Sequence, residues 1–284
     1  MLVPLQALGT CWNIEFLEDD VDVSNIQKET QIFLECFESR YSRFRNESWL
    51  SILNQEKVFH NPDPEFVTLL NESLHYFKTT NGVFNIAVGE KMEKSGYDAN
   101  YSFTKTTTQD SDIPSLPSVL SVTEEKITLA TGRLDLGGIG KGFVIDSLVA
   151  LYKTTFGLHS FIINGGGDIF ATHEKGRPIT VALTHPTDQT LSIGSINLCN
   201  QGFAASSPFV RAWKDKNTKQ EYNHLHTSNA VASYVVADTA CSADVWATTL
   251  AIDPAQTPKN VQKLLLQDSK ILYAHSVFTL HTNT

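Results

Sequence analysis

The chain has 284 residues, room for one large domain or two small ones at roughly 150 residues each, and its 41% hydrophobic content excludes a disordered polymer. Its 22 Lys and Arg against 31 Asp and Glu leave a formal charge of −9. That balance excludes a general attraction to nucleic-acid backbones or anionic lipid, although a local site can still hold a small anion.

No apolar run reaches the roughly 20 residues of a membrane span. Met1 to Cys11 carries neither the basic nor the apolar region of a secretory signal. Cys11, Cys36, Cys199 and Cys241 are scattered without a CxxC pair, so neither a zinc site nor a disulfide framework is indicated. Read from this chain, the compartment is cytoplasmic.

The first element is a strand alternating from Trp12 through Ile14 to Phe16. Ser24, with Gln27 three residues on, predicts the start of a helix whose face is Ile26, Ile32, Phe33, Cys36 and Phe37. An Arg-rich polar exit follows, Ser39 to Ser48. Asp63-Pro64 opens a second helix with stripe Phe66, Leu69, Leu70, Leu74 and Phe77, and Asn81-Gly82 closes it. Lys94 to Val119 is rich in Ser, Thr, Asp and Pro and reads as a long excursion. Short strands are predicted at Ile127–Leu129, Ser160–Asn164, Ile179–Leu183, Leu191–Leu198 and Ala230–Ala237. Helices are predicted at Lys141–Tyr152, Ser242–Ile252 and Pro258–Leu266, and Ile271–Leu280 closes the chain with strand-like residues. The order is α+β around a largely antiparallel sheet, without internal repeats.

The densest chemical signal is Leu134-Asp135-Leu136-Gly137-Gly138-Ile139-Gly140-Lys141-Gly142-Phe143-Val144-Ile145-Asp146. Four glycines running into an amphipathic helix leave backbone amides open to phosphate, and Lys141 adds a point charge. The spacing is neither a Walker A loop nor a dinucleotide fingerprint, and a glycine turn needed only for packing is the plain alternative. Asn164-Gly165-Gly166-Gly167-Asp168 follows a buried strand and is also sterically open, with Asn164 and Asp168 serving the loop through side-chain to backbone hydrogen bonds. Asp244 and Thr248 lie one helical turn apart, a carboxylate and a hydroxyl suited to Mg²⁺; an acid complementing the helix dipole is the commoner reading of such a pair. His224 and His226 alternate, so on extended backbone they would point the same way.

In this order and spacing the segments resemble the ApbE family of FAD:protein FMN transferases. The family's DLGGIxKGxxxD, NxGGDI and ADxxxT motifs have counterparts at Asp135 to Asp146, Asn164 to Ile169 and Ala243 to Thr248. Leu8-Gly9-Thr10, the stretch Tyr41 to Asn54 and Thr80 to Asn85 agree more loosely, so the resemblance spans about residues 5 to 275. It implies a single domain over 1–284, ApbE-like and T-fold-like, with mostly antiparallel sheets and flanking helices. It also implies a Mg²⁺-dependent transfer of FMN from FAD to a Ser or Thr of a flavin-accepting redox protein, releasing AMP.

Position by position, the resemblance places Phe44, Val83, Phe84, Asn85, Asp135, Lys141 and Leu225 at the flavin nucleotide. Gly138, Asp244 and Thr248 fall at the metal, and His224 and Asp244 in the chemistry. As sequence alone, Phe44 and Phe84 read as core residues. Two departures stand out. The family's HHxxDPxTG segment is Tyr222-Asn223-His224-Leu225-His226-Thr227-Ser228-Asn229-Ala230 here, without its DPxTG turn, and Asn85 replaces an Asp. A FAD pyrophosphatase giving FMN and AMP, and a flavin binder without turnover, are the alternatives. Relatives are often exported lipoproteins, which implies a periplasmic location if an N-terminal signal was removed.

Overall fold

Seven consecutive buried residues, Val231–Ala237 (VASYVVA), require cover on both faces of a sheet. The structure, a computed structural model, describes residues 1–19, 21–99, 102–105, 112–188, 190–267 and 270–281. It divides into two compact units, Met1–Glu35 with Ile139–Val210 and Thr227–Thr284, and Cys36–Gly138 with Arg211–His226. The division falls inside helix α1 (Val23–Tyr41).

In the first unit, numbering in chain order, the buried strand is β13. Its sheet also holds β1 (Leu2–Ala7), β2 (Thr10–Phe16), β6 (Phe161–Gly165), β7 (Asp168–Thr172), β10 (Gln201–Ser206), β14 (Gln262–Gln267) and β15 (Lys270–Ala274). The spatial order is β1-β2-β6-β7-β10-β13-β14-β15, with every neighbouring pair antiparallel. Alternate residues of β13 serve opposite faces. Ala232, Tyr234 and Val236 pack with Leu183, Ile196, Leu198 and Phe278 of a smaller sheet, β8 (Ile179–Thr184), β9 (Ser192–Leu198) and β16 (Phe278–Leu280). Val231, Val235 and Ala237 pack with Ala243, Trp246, Ala247 and Leu250 of helix α7 (Ala240–Ile252).

Helix α6 (Gly140–Thr155) lies beside α7, and the two exchange caps. Asp146, in the second turn of α6, accepts the N–H groups of Ala240 and Cys241, both at 2.8 Å, at the start of α7. Asp244, in the second turn of α7, accepts the N–H of Gly142 at 3.1 Å, at the start of α6. Thr239 Oγ1 takes Ser242 N–H at 3.1 Å. Each helix start thus receives a carboxylate from the other, satisfying orphan donors and complementing the dipole. The close approach needs a glycine: a Cβ on Gly142 would sit 2.6 Å from Ala240 O and 2.6 Å from Cys241 Cα. Gly142→Ala is expected to force the helices apart and cost about 2–3 kcal/mol, read by denaturant unfolding. An unchanged midpoint would remove close packing as the reason for this glycine.

The second unit holds α2 (Trp49–Glu56), α3 (Pro64–Thr79), α4 (Gly89–Lys94) and the single turn α5 (Leu116–Val119). Its antiparallel sheet has the order β3 (Val58–His60), β5 (Lys126–Leu129), β4 (Leu120–Val122). Leu50, Leu53, Phe66, Leu69, Leu70, Leu116, Ile127 and Leu134 are fully buried. Asp63 caps α3 by accepting Glu65 N–H at 2.7 Å, with Pro64 in the first turn, and Asn81 and Gly82 take positive φ beyond its end, as their residue types predict. A hairpin of β11 (Ala212–Lys214) and β12 (Glu221–Asn223) completes the unit. Trp213 stacks on Tyr97 at 5.4 Å and donates from Nε1 to Ser95 O at 3.0 Å.

The α+β class with antiparallel ladders is as expected; three local readings are corrected. Pro258–Leu266 is not a helix, because Gln262–Gln267 is strand β14. Leu264 and Leu266 face one core and Leu265 the other, and a short run buried on both faces has no periodicity to separate strand from helix. Helix α1 begins at Val23, with Asp22 Oδ1 accepting Asn25 N–H at 3.2 Å, so Ser24 is not its cap. Its buried face is Ile26, Thr30, Leu34, Phe37 and Tyr41, while Ile32 and Cys36 are exposed. Thr30 can be buried because its hydroxyl meets Ile26 O and Tyr152 Oη, each at 2.7 Å. His224 and His226 do not share an extended segment: β12 ends at Asn223, and His226 has φ 49°.

Candidate active site

The sequence-predicted residues fall into two groups, one in each unit. In the first unit Lys141, Asp168 and Asp244 meet. The tight turn from β6 to β7 has positive φ at both Gly166 (69°) and Gly167 (101°), the signature of a two-residue hairpin. Asn164 Oδ1 accepts Gly167 N–H at 2.9 Å and fixes that turn. Asp168, the first residue of β7, is thereby set in place and is 3% exposed. Lys141 Nζ lies 2.7 Å from Asp168 Oδ2. It lies 3.3 Å from Asp244 Oδ2 and 3.4 Å from Asp244 Oδ1. Asp168 thus does more than its place beside the glycine loop predicts: its carboxylate pairs with an ammonium.

Thr248 follows Asp244 by one turn of α7. Its neighbour Thr249 donates its hydroxyl to Val245 O at 2.8 Å, whereas no such back-bond occupies the half-exposed Thr248 among the described residues. A carboxylate and a hydroxyl on one helical face are hard oxygen donors, and the ammonium beside Asp244 shows that a cation is accepted there. No group of three or more His, Cys, Asp or Glu able to hold a metal occurs among the described residues. This set fits Mg²⁺, which is usually held by one or two carboxylates with the rest of its shell from water and substrate phosphate.

In the second unit Asp135 is the centre. Its N–H donates to Ile86 O at 2.7 Å, and its carboxylate accepts Gly137 N–H at 2.6 Å and Arg43 Nε. Arg43 is a buried guanidinium: Nη2 donates to Tyr97 O at 2.8 Å, and Nη1 is buried without a hydrogen-bond partner among the described residues. Its Cζ stands 4.2 Å from the Phe44 ring centroid and 5.3 Å from that of Tyr97, cation–π distances for a desolvated cation. Arg43 and Tyr97 have no role in the sequence reading. The only signal is an Arg flanked by Tyr41 and Phe44, which does not distinguish it from the Arg-rich exit around it.

Phe84 is buried, with its ring edge-on to Tyr76 at 6.3 Å, and Val83 is half-buried beside it. Asn85 joins two backbones: Nδ2 donates to Pro114 O at 2.9 Å, and Oδ1 accepts Ala87 N–H at 2.9 Å. An Asp here would keep the second bond and set a carboxylate oxygen against the Pro114 carbonyl. Asn85→Asp is expected to lower stability by about 1–3 kcal/mol in denaturant titration. No loss would show that the amide donor is not what the position uses.

Gly138 closes the first stretch of the second unit, and His224 and Leu225 follow β12. Leu225 is buried and its N–H donates to Asn223 Oδ1 at 3.1 Å. His224 Nδ1 lies 3.3 Å from Arg211 O. A carbonyl only accepts, so this contact calls for the Nδ1–H tautomer and leaves Nε2 as the basic nitrogen of the neutral ring. His226 Nε2 instead sits 3.0 Å from Met92 Sδ. The hairpin before His224 is tied down by Asp215, which accepts the N–H groups of Lys105 at 2.5 Å and Thr218 at 2.6 Å. Those bonds, Lys105 first, hold its carboxyl at about 2. The folded pKa is depressed, so the tie is present above the ordinary carboxyl value of 3.8 and is lost only as pH falls towards 2.

The architecture is that of solved ApbE proteins. The ApbE protein of Thermotoga maritima superposes with TM-score 0.78 and 17% identity over 97% of each chain. The flavin transferase ApbE of Vibrio cholerae gives TM-score 0.73 and 20% identity, over 98% of this chain and 97% of that one. A sequence model of the ApbE family matches residues 8–270, and the chain belongs to that family. Similar curated proteins include the FAD:protein FMN transferase of Haemophilus influenzae, 25% identical over 76% of this chain and 67% of that one. That of Vibrio cholerae is 24% identical over 86% and 79%. No helix among the described residues is long and apolar enough to cross a membrane.

Proposed function

We propose that this chain is a Mg²⁺-dependent FAD:protein FMN transferase, moving FMN from FAD onto a Ser or Thr of a flavin-accepting redox protein with release of AMP. The observation that carries this reading is Lys141 paired with the buried carboxylates Asp168 and Asp244 at the glycine-lined start of α6 in a chain of the ApbE family. All 284 residues serve this one activity as a single catalytic domain.

In this reading the acceptor hydroxyl oxygen attacks the phosphorus on the FMN side of the FAD pyrophosphate. The bond to the AMP phosphate oxygen breaks, and AMP leaves with that oxygen. His224 Nε2 takes the hydroxyl proton as a neutral base. Lys141 places its ammonium on the phosphate, Asp135 and Phe44 hold the flavin nucleotide, and Val83, Phe84, Asn85 and Leu225 shape its surroundings. Asp244, Thr248 and the Gly138 carbonyl would hold Mg²⁺, which when bound neutralises the pyrophosphate charge and assists the leaving phosphate.

The test is to incubate the protein with FAD, with and without Mg²⁺, and with and without a peptide bearing an acceptor Thr, resolving the products by chromatography and mass. AMP that requires both Mg²⁺ and peptide, with the peptide heavier by one FMN, is the expected result. AMP and free FMN without peptide would make the protein a pyrophosphatase. Intact but retained FAD would make it a flavin binder.

A further inference from the structure

We propose that Asp168 is a positioning residue that draws the Lys141 ammonium away from Asp244, so that Asp244 can accept a divalent cation. The inference rests on the reading of Asp244 and Thr248 as metal donors. Lys141 is the resident cation of this cluster, and it is shared unequally: Nζ is 2.7 Å from Asp168 and 3.3 Å from Asp244. Both carboxylates are buried, at 3% and 5% exposure. With the ammonium held nearer Asp168, the Asp244 carboxylate keeps negative charge that a divalent cation can meet.

Asp244 does not depend on Lys141 for a donor, because Gly142 N–H already reaches its Oδ2 at 3.1 Å. Asp168 cannot follow the ammonium. It opens β7 directly after the Gly166–Gly167 turn, which Asn164 fixes, and a Cβ on Gly166 would meet Thr10 Oγ1 at 2.4 Å. A carboxylate on rigid backbone therefore offers Lys141 a second seat. Without it the ammonium is drawn towards Asp244, 3.3 Å away, and competes directly with the incoming metal.

The test is Mn²⁺ affinity, read by the loss of the free-ion EPR signal with and without FAD, for wild type, Asp168→Asn, Lys141→Met and the double variant. Asp168→Asn is expected to weaken Mn²⁺ binding about tenfold. Lys141→Met is expected to bind at least as tightly as wild type, because the competitor is gone. Adding Asp168→Asn to Lys141→Met is expected to cost less than about threefold.

The double variant separates this role from two others, since a direct ligand, or a carboxylate acting only through its field, would show the same loss whether or not Lys141 is present. An undiminished loss in the Lys141→Met background overturns the inference, as does wild-type affinity in Asp168→Asn. Should Asp168→Asn fail to fold, Lys141→Met decides, and weaker binding than wild type overturns the inference. Wild-type protein that binds no Mn²⁺ in either condition overturns the metal reading itself, and the inference with it.

Discussion

Asp244→Asn is expected to lower Mg²⁺-dependent release of AMP from FAD by about 10³-fold while leaving the protein folded. The two halves of this expectation have separate causes. Asparagine retains an oxygen that can accept Gly142 N–H, so the start of α6 keeps its capping partner. Lys141 remains paired with Asp168 at 2.7 Å, so no buried cation is stranded. What disappears is one formal negative charge among the donors proposed for a divalent cation, and a neutral hydroxyl and a backbone carbonyl are too weak as ligands to replace it. Unfolding curves and AMP release measured on the same preparation check both halves. Activity within tenfold of wild type at saturating Mg²⁺ would remove Asp244 from the metal site. A collapsed melting transition would show that its main work is structural.

Arg43→Met is expected to destabilise the protein by about 3–5 kcal/mol, the usual cost of removing one partner from a buried ion pair. The side chains of Arg43 and Asp135 are 3% and 11% exposed, so methionine leaves the carboxylate charged and largely out of water, with Gly137 N–H as its remaining partner. The Tyr97 carbonyl also loses the Nη2 donor, and the Phe44 ring loses the cation against its face. Because the penalty lies mainly in the stranded charge, adding Asp135→Asn should recover a large part of it. A double-mutant cycle by urea denaturation measures this. A single-variant loss below about 1 kcal/mol, or no recovery in the double variant, would count against the pair as a buried electrostatic tie.

The glycine-rich segments were legible because their chemistry is local: glycine before a helix and a lysine within it mean the same thing wherever the chain goes. Asp244 and Thr248 were legible for a similar reason, since a spacing of four on a helix fixes a common face. Arg43 could not be read in this way. Its partner, Asp135, lies 92 residues further on, and nothing near Arg43 marks it as buried rather than one of several surface arginines. Asp168 was legible only in part: its neighbours mark the turn, which Asn164 fixes, but nothing local shows that its carboxylate pairs with Lys141. In the fold, β2 was read from its alternation, β1 was missed although its residues alternate exposed and buried, and β14 was misassigned because three buried leucines in a row carry no period. The short strands β3, β4, β11 and β12 each have only three residues, too few for a pattern to repeat.

The exchange of carboxylates between α6 and α7 joins two segments that lie about a hundred residues apart in the chain. Each acid reaches the other helix from a fixed number of residues past its own helix start, so a one-residue insertion ahead of either acid would rotate it by about 100° and break its link. Gene segments encoding these two helices therefore cannot be lengthened, shortened or grafted independently. In a chimera between this protein and a distant relative, the two helices are therefore best inherited together, so that each acid meets the helix start it caps.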